Sequence, residues 1–115
     1  MRLKSDIWVA ALLRRCAGIG LFGAVIHHGA DEAGAVYVYI NHLNGTYDLL
    51  SPPPGPAYNE QGERRFVKEF TSPVDWAQAS AVVTRRRKSD PDLWAVEIED
   101  RHDLASIPIE VENFS

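Results

Sequence analysis

Residues 35–41 read AVYVYIN, and the pair Asn44-Gly45 follows shortly after. Strict alternation places Val36, Val38 and Ile40 on one face of a strand and Tyr37 and Tyr39 on the other. Asn-Gly accepts positive φ at both central positions of a tight turn, so it is a strong short-range signal for a two-residue hairpin. That turn pairs Leu43 with Thr46, His42 with Tyr47, Ile40 with Leu49 and Tyr39 with Leu50. An antiparallel pair is therefore the seed of the fold.

Working outward, Ser5 stands as an N-cap before Asp6, an acid suited to the positive end of a helix. Val9, Leu12, Leu13 and Cys16 recur at helical spacing, Arg14 and Arg15 fall in the last turn, and Gly18 or Gly20 ends the helix. Leu21 to His28 is a short apolar run and reads as a strand. After the hairpin, Ser51-Pro52-Pro53-Pro54-Gly55-Pro56 lacks the donors a central ladder needs and reads as a stiff loop running on to about Gly62. Residues 63–70 fit either a helix, with Phe66 and Phe70 on one face, or a strand sharing Arg64, Phe66, Lys68 and Phe70; the strand is preferred because the next helix start is so sharply marked. Ser72-Pro73-Val74-Asp75 marks a helix start, with burial predicted for Trp76, Ala79, Val82 and Val83. Residues 93–99 form a last strand with Trp94, Val96 and Ile98 inward. The expected fold is α+β: an antiparallel sheet of about five strands, in the order α-β-β-β-β-α-β, with both helices packed on one face. Residues 1–101 make a single domain, and 102–115 an acidic tail or arm whose Ile107, Ile109 and Val111 suit an edge strand or a neighbour.

At 115 residues, 45% hydrophobic and 24% charged, the composition is that of an ordinary globular domain. The net charge of −4 is uneven. Residues 1–88 carry eleven Lys/Arg against eight Asp/Glu, whereas 89–115 carry one Arg against eight acids. The acidic end can neutralise the basic run Arg85-Arg86-Arg87-Lys88, which argues against a nucleic-acid partner. Asp6 and Arg14-Arg15 break the N-terminal apolar run, and no span approaches the roughly 18 apolar residues of a membrane helix. A lone cysteine permits no internal disulfide, so a cytoplasmic location is expected.

Several motifs occur together in order: Arg2-Leu3-Lys4-Ser5-Asp6-Ile7-Trp8-Val9, Gly34-Ala35-Val36, Gly62-Glu63-Arg64-Arg65-Phe66, Asp90-Pro91-Asp92-Leu93-Trp94 and Glu97-Ile98-Glu99-Asp100-Arg101. Over roughly residues 1–101 the chain resembles the small bacterial domain-of-unknown-function family 1491, found mainly in alphaproteobacteria. The Pro-rich loop and the acidic tail depart from that pattern. The resemblance implies a bacterial, cytoplasmic, single-domain protein and brings no activity, cofactor or catalytic residue.

The residues themselves offer little chemistry. His27 and His28 are neighbours on a strand and point to opposite faces, so one ion cannot take both without distortion. A site from His27 or His28 with Asp31 and Glu32 is the metal or small-molecule alternative, against surface histidines at a strand end. No HExxH or paired-cysteine spacing supports it. Cys16 lies on an apolar stripe, where a thiol is normally inert. Gly18-Ile19-Gly20-Leu21-Phe22-Gly23 leads into a strand instead of following one, so it lacks phosphate-loop geometry. Glu97, Glu99 and Asp100 read as solubilising carboxylates. Arg85, Arg86, Arg87 and Lys88, extended by Arg64-Arg65, form a candidate basic patch for weak nucleic-acid binding, against a solvated helix end. No catalytic residue and no cofactor are expected, and the balance leans away from an enzyme.

The most suggestive surface is the outer sheet face. With Ile26 opposite Val38 in adjacent first and second strands, His27, Tyr37, Tyr39 and Leu50 share that face and make a candidate interaction surface. The plainer alternative folds the C-terminal arm, or the Pro-rich loop with Tyr58, over it as a second small core. The expected function is a non-enzymatic interaction module, its partner another protein or a second copy of itself, acting through this face or an edge strand.

Overall fold

The computed structural model describes residues 3–101 and 106–112. The elements run α1 (Ser5–Gly18), β1 (Gly23–His27), β2 (Val36–Asn41), β3 (Tyr47–Ser51), β4 (Phe66–Lys68), α2 (Trp76–Ser89), β5 (Trp94–Glu99) and β6 (Val111–Glu112). This is the predicted α+β order with one short strand added. The six strands form one mixed sheet, ordered β1-β5-β2-β3-β4-β6. Neighbours are antiparallel except β2 with β5 and β4 with β6.

The two helices lie on opposite faces, not on one. Val9, Leu12 and Cys16 of α1 pack with Val36, Val38, Ile40, Trp94, Val96 and Ile98. Ala79, Val82 and Val83 of α2 pack with Tyr37, Tyr39, Leu49, Leu93 and Ala95. The reason is legible in β2, whose alternate positions are aliphatic on one side and tyrosine on the other. A strand apolar on both sides belongs in a sheet covered twice.

The first two strands do not pair. β5 inserts between them, antiparallel to β1 with Val25 opposite Val96, and parallel to β2 with Val38 opposite Val96. A central β5 fits its sequence, since Trp94, Ala95, Val96 and Ile98 are all buried.

The hairpin forms, but one residue out of the expected register: Ile40 faces Asp48, Tyr39 faces Leu49 and Val38 faces Leu50. The connection is longer than two residues, with Leu43 and Gly45 at φ 63° and 89°. Asn41 Oδ1 accepts from Leu43 N at 2.8 Å, and Asn44 Oδ1 accepts from Thr46 N at 3.0 Å. These side chains stabilise the wider loop. A one-residue slip exchanges faces, so Leu50 points to α1 and Leu49 to α2.

Both helix starts differ from expectation. The N–H groups of Ser5 and Asp6 donate to the carbonyls of Glu32 and Asp31, and Lys4 is the N-cap. Ser5 is thereby released from capping and donates its hydroxyl to Gly34 O at 2.6 Å. α2 starts after Asp75, which caps Gln78 N at 2.8 Å, because Val74 instead bridges to Tyr47 of β3. Trp76 stays half exposed, its ring against Tyr39 and Tyr47 at 4.7 and 5.2 Å. Beyond residue 101, Ile107 enters the core on the α1 side and β6 pairs with β4. Residues 102–105 and 113–115 of the predicted tail lie outside the described residues.

Candidate functional site

The predicted interaction surface does not exist as one face. Tyr37 and Tyr39 are 8% and 1% exposed beneath α2, and burial pushes the Tyr39 phenol up to about 12. Leu50 is buried on the opposite side, under α1. Only His27 remains at the surface, its Nε2 3.3 Å from Arg87 Nη1. Its pKa is lowered by partial burial and then by that guanidinium. Among the described residues the cover is α2, and no residue of the arm or of the Pro-rich loop packs in that cluster.

The other predicted groups are dispersed. His28 lies against the Trp94 ring at 4.0 Å, with Asp31 4.0 Å from its Nε2, while Glu32 pairs with Lys4 at 3.7 Å. Among the described residues no three His, Cys, Asp or Glu side chains form a metal-holding group. The basic run divides. Arg86 grips Glu69 at 3.0 and 2.5 Å and stacks over Tyr37, leaving Arg85, Arg87 and Lys88 exposed. Glu97 accepts from Asn41 Nδ2 at 3.3 Å. Cys16 is fully buried, and that burial raises its pKa. No described helix is long and apolar enough to cross a membrane.

Two features remain for function, and the first is an edge. Among the described residues β1 has β5 on one side and no strand on the other. Its sequence, Gly-Ala-Val-Ile-His, contains none of the lysines, acids or prolines that normally blunt an edge. Val25 and Ile26 are each 40% exposed, and Phe22, just before the strand, is 64% exposed. The opposite edge is managed differently. β6 has two described residues, and its Glu112 accepts two bonds from Arg65 at 2.9 Å.

The second feature is a cavity of about 250 Å³ between α1, the loop before β4 and residues 108–110. Asn59 shapes that loop, its Oδ1 accepting from Gln61 N and Glu63 N, both at 2.9 Å. The turn sets Tyr58 opposite Arg64 in an antiparallel bridge. The Arg64 guanidinium stands 5.5 Å from the Trp8 ring and 5.3 Å from the Tyr58 ring. Nη2 donates to Ser5 Oγ at 2.6 Å and Nη1 to Gly34 O at 3.3 Å. Its Nε is buried with no acceptor, and no described carboxylate pairs with it. Burial pulls its pKa down, against a smaller opposing effect of Tyr58.

In the sequence Arg64 reads only as an extension of a basic patch. Its alternation with Phe66, which belongs to the core, was the available signal that it points inward. A further group went unnoticed. Asp48 is fully buried, with His42 Nε2 2.9 Å from one oxygen and Lys68 Nζ 3.6 Å from the other. The hairpin slip that moved Leu50 also turned Asp48 inward opposite Ile40. The resulting charge cluster joins the ends of β2, β3 and β4.

Comparison with known proteins agrees with this architecture. The sequence profile of the DUF1491 family, described as a protein of unknown function, matches residues 3–107. A crystal structure of a DUF1491 family protein from Caulobacter crescentus is 36% identical, with a TM-score of 0.74, over 98% of this chain and 100% of that one. An A. tumefaciens protein solved in solution is 34% identical, with a TM-score of 0.80, over 100% of both chains. A solution structure of a DUF1491 family protein from Caulobacter crescentus is 37% identical, with a TM-score of 0.76, over 98% and 99%. No curated protein matches the chain. Motif order, profile and fold converge: the chain belongs to the DUF1491 family.

Proposed function

We propose that this chain works by association, not by a reaction of its own, and that a second copy of the chain pairs with the free edge of β1. The observation that carries this reading is the contrast between the two sheet edges. Among the described residues the β6 edge is short and engaged in an ion pair, whereas β1 offers five uncharged residues, Val25 and Ile26 among them exposed, preceded by exposed Phe22. Backbone donors and acceptors along an edge are a template for another strand.

Charge favours a copy of the same chain as the occupant. The His27 end of β1 carries Arg87, while its other end lies beside Glu97 and the terminus of β5 at Glu99. A two-fold antiparallel pairing sets the His27 end of each copy towards the acidic end of its partner. The exposed aliphatic side chains meet their counterparts in the same operation.

Sedimentation velocity of the full chain, from micromolar to millimolar concentration, tests the proposal. The expected result is reversible dimerisation that Val25→Lys and Ile26→Lys abolish. Leu43→Lys, on the exposed hairpin loop, leaves it intact. A protein monomeric throughout, or a dimer indifferent to both edge substitutions, overturns the assignment.

A further inference from the structure

We infer that the cavity beside Arg64 is a binding site for a small organic monocarboxylate with an aromatic or flat apolar body, a role independent of self-association at β1. A guanidinium that is partly withdrawn from water normally carries a carboxylate or a full set of acceptors, because a charge left uncompensated away from water is costly. Arg64 has neither among the described residues. It lies over the Trp8 and Tyr58 rings, two of its N–H groups are taken by Ser5 and Gly34, and its Nε–H is buried without an acceptor. A ligand carboxylate in the cavity supplies the missing charge at the guanidinium edge that lines it.

The cavity walls define the rest of the ligand. Trp8, Leu12, Phe66 and Ile109 give an apolar lining, with Trp8 and Phe66 already stacked at 5.5 Å. A volume of about 250 Å³ equals the share of roughly eight waters, which suits a ligand on the order of ten heavy atoms. The charges lining the cavity are Arg15 and Arg64 against Glu63 and Glu110. A lining that is neutral overall repels a phosphate dianion more than a monocarboxylate held at one guanidinium. The flat ring of such a ligand finds aromatic partners in the same wall.

The site also explains a link across the fold. Ser5 of α1 donates to Gly34 and accepts from Arg64, so the first turn of α1, the segment before β2 and the approach to β4 meet at this guanidinium. Occupancy is therefore expected to tighten the packing of α1 on the sheet.

Nitrogen-15 NMR titration of the full chain with benzoate tests the inference, with benzamide as the neutral isostere and inorganic phosphate as the competing anion. Saturable shifts are expected at the Trp8 indole N–H and at Arg64 and Ile109 with benzoate alone. Arg64→Met should weaken that binding about tenfold or more, the range for losing a charged hydrogen bond. Because Arg64→Met can also disturb the junction, Ala11→Phe serves as a second variant. It fills the cavity from the helix side and is expected to block binding while the rest of the spectrum stays folded. Equal binding of benzamide, preferential binding of phosphate, no saturable shift, or benzoate binding unchanged in Ala11→Phe each overturns the assignment.

Discussion

Replacing Glu69 by glutamine probes how α2 is held on its face of the sheet. Glu69 follows β4 and accepts from Arg86 Nη1 and Nη2 at 3.0 and 2.5 Å and from Ser51 Oγ at 2.8 Å. Glutamine keeps the shape and one acceptor oxygen but removes the charge. Hydrogen bonds to charged groups contribute about 1.5–3 kcal/mol, whereas fully exposed ion pairs contribute about 0.2–1 kcal/mol. The Arg86 and Glu69 side chains are 35% and 19% exposed, between those limits. The expected loss at neutral pH is therefore about 1–2 kcal/mol after allowing for solvent screening. At about 4 °C per kcal/mol for a domain of this size, Tm falls by about 4–8 °C. The pH dependence separates charge from packing. Burial alone raises the Glu69 pKa, but hydrogen bonds from Arg86 and Ser51 and the charges of Arg86 and Arg85 outweigh it, holding the group below its ordinary 4.5. A carboxylate depressed in the folded state adds stability above its unfolded pKa and loses it as pH falls through the folded one. Thermal melts followed by circular dichroism should therefore show the full gap between wild type and Glu69→Gln near neutrality, closing as pH drops below about 4.5. A gap that persists unchanged into acid, or no gap at neutral pH, refutes the electrostatic account.

Gly34→Ala should destabilise the protein by about 1–3 kcal/mol, as overpacking does. A Cβ there presses on the Asp92 carbonyl oxygen and the Trp94 ring, and urea midpoints would read the loss. An unchanged midpoint would show that the chain before β2 yields freely. The Cys16 thiol, buried on α1 with its pKa raised by that burial, should resist alkylation in native protein and react only as the chain unfolds. Rapid labelling under native conditions would contradict the packing of α1 described above.

The sequence showed elements better than their partners, and particular residues explain the difference. The stripes of Val9, Leu12 and Cys16 and of Ala79, Val82 and Val83 predicted the buried helix faces, because helical periodicity is a local property. Pairing is not local. β5 enters between β1 and β2 only because its side chains fill both faces, and nothing near residues 23–41 announces that insertion. The register was missed by one residue because Asn41 and Asn44 stabilise a wider loop than Asn-Gly alone suggests. That slip sent Leu50 to the α1 side and Asp48 inward, so a local turn error removed a whole predicted surface. Arg64 was hidden for another reason. Its environment is built from Ser5, Trp8, Gly34 and Tyr58, four positions whose proximity depends on the finished topology.

Because both sheet faces are covered, association through the sheet must use an edge, and the form of β1 limits how strong it can be. The ladder to β5 shifts register between Val25 and His27, leaving Ile26 as the extra residue of a bulge. A bulge twists an edge and interrupts regular pairing, so an incoming strand finds an undisturbed ladder only along Gly23 to Val25. Backbone bonds over so short a run cannot hold a dimer by themselves, and the apolar contribution must come from Phe22, Val25 and Ile26. Such an interface falls in the small class, under about 1,200 Å² of buried surface, which is typical of transient contacts. The dimer should therefore exchange rapidly with monomer and weaken as salt screens the Arg87 and Glu97 ends. A salt-insensitive dimer that resists dilution would point to a surface other than β1.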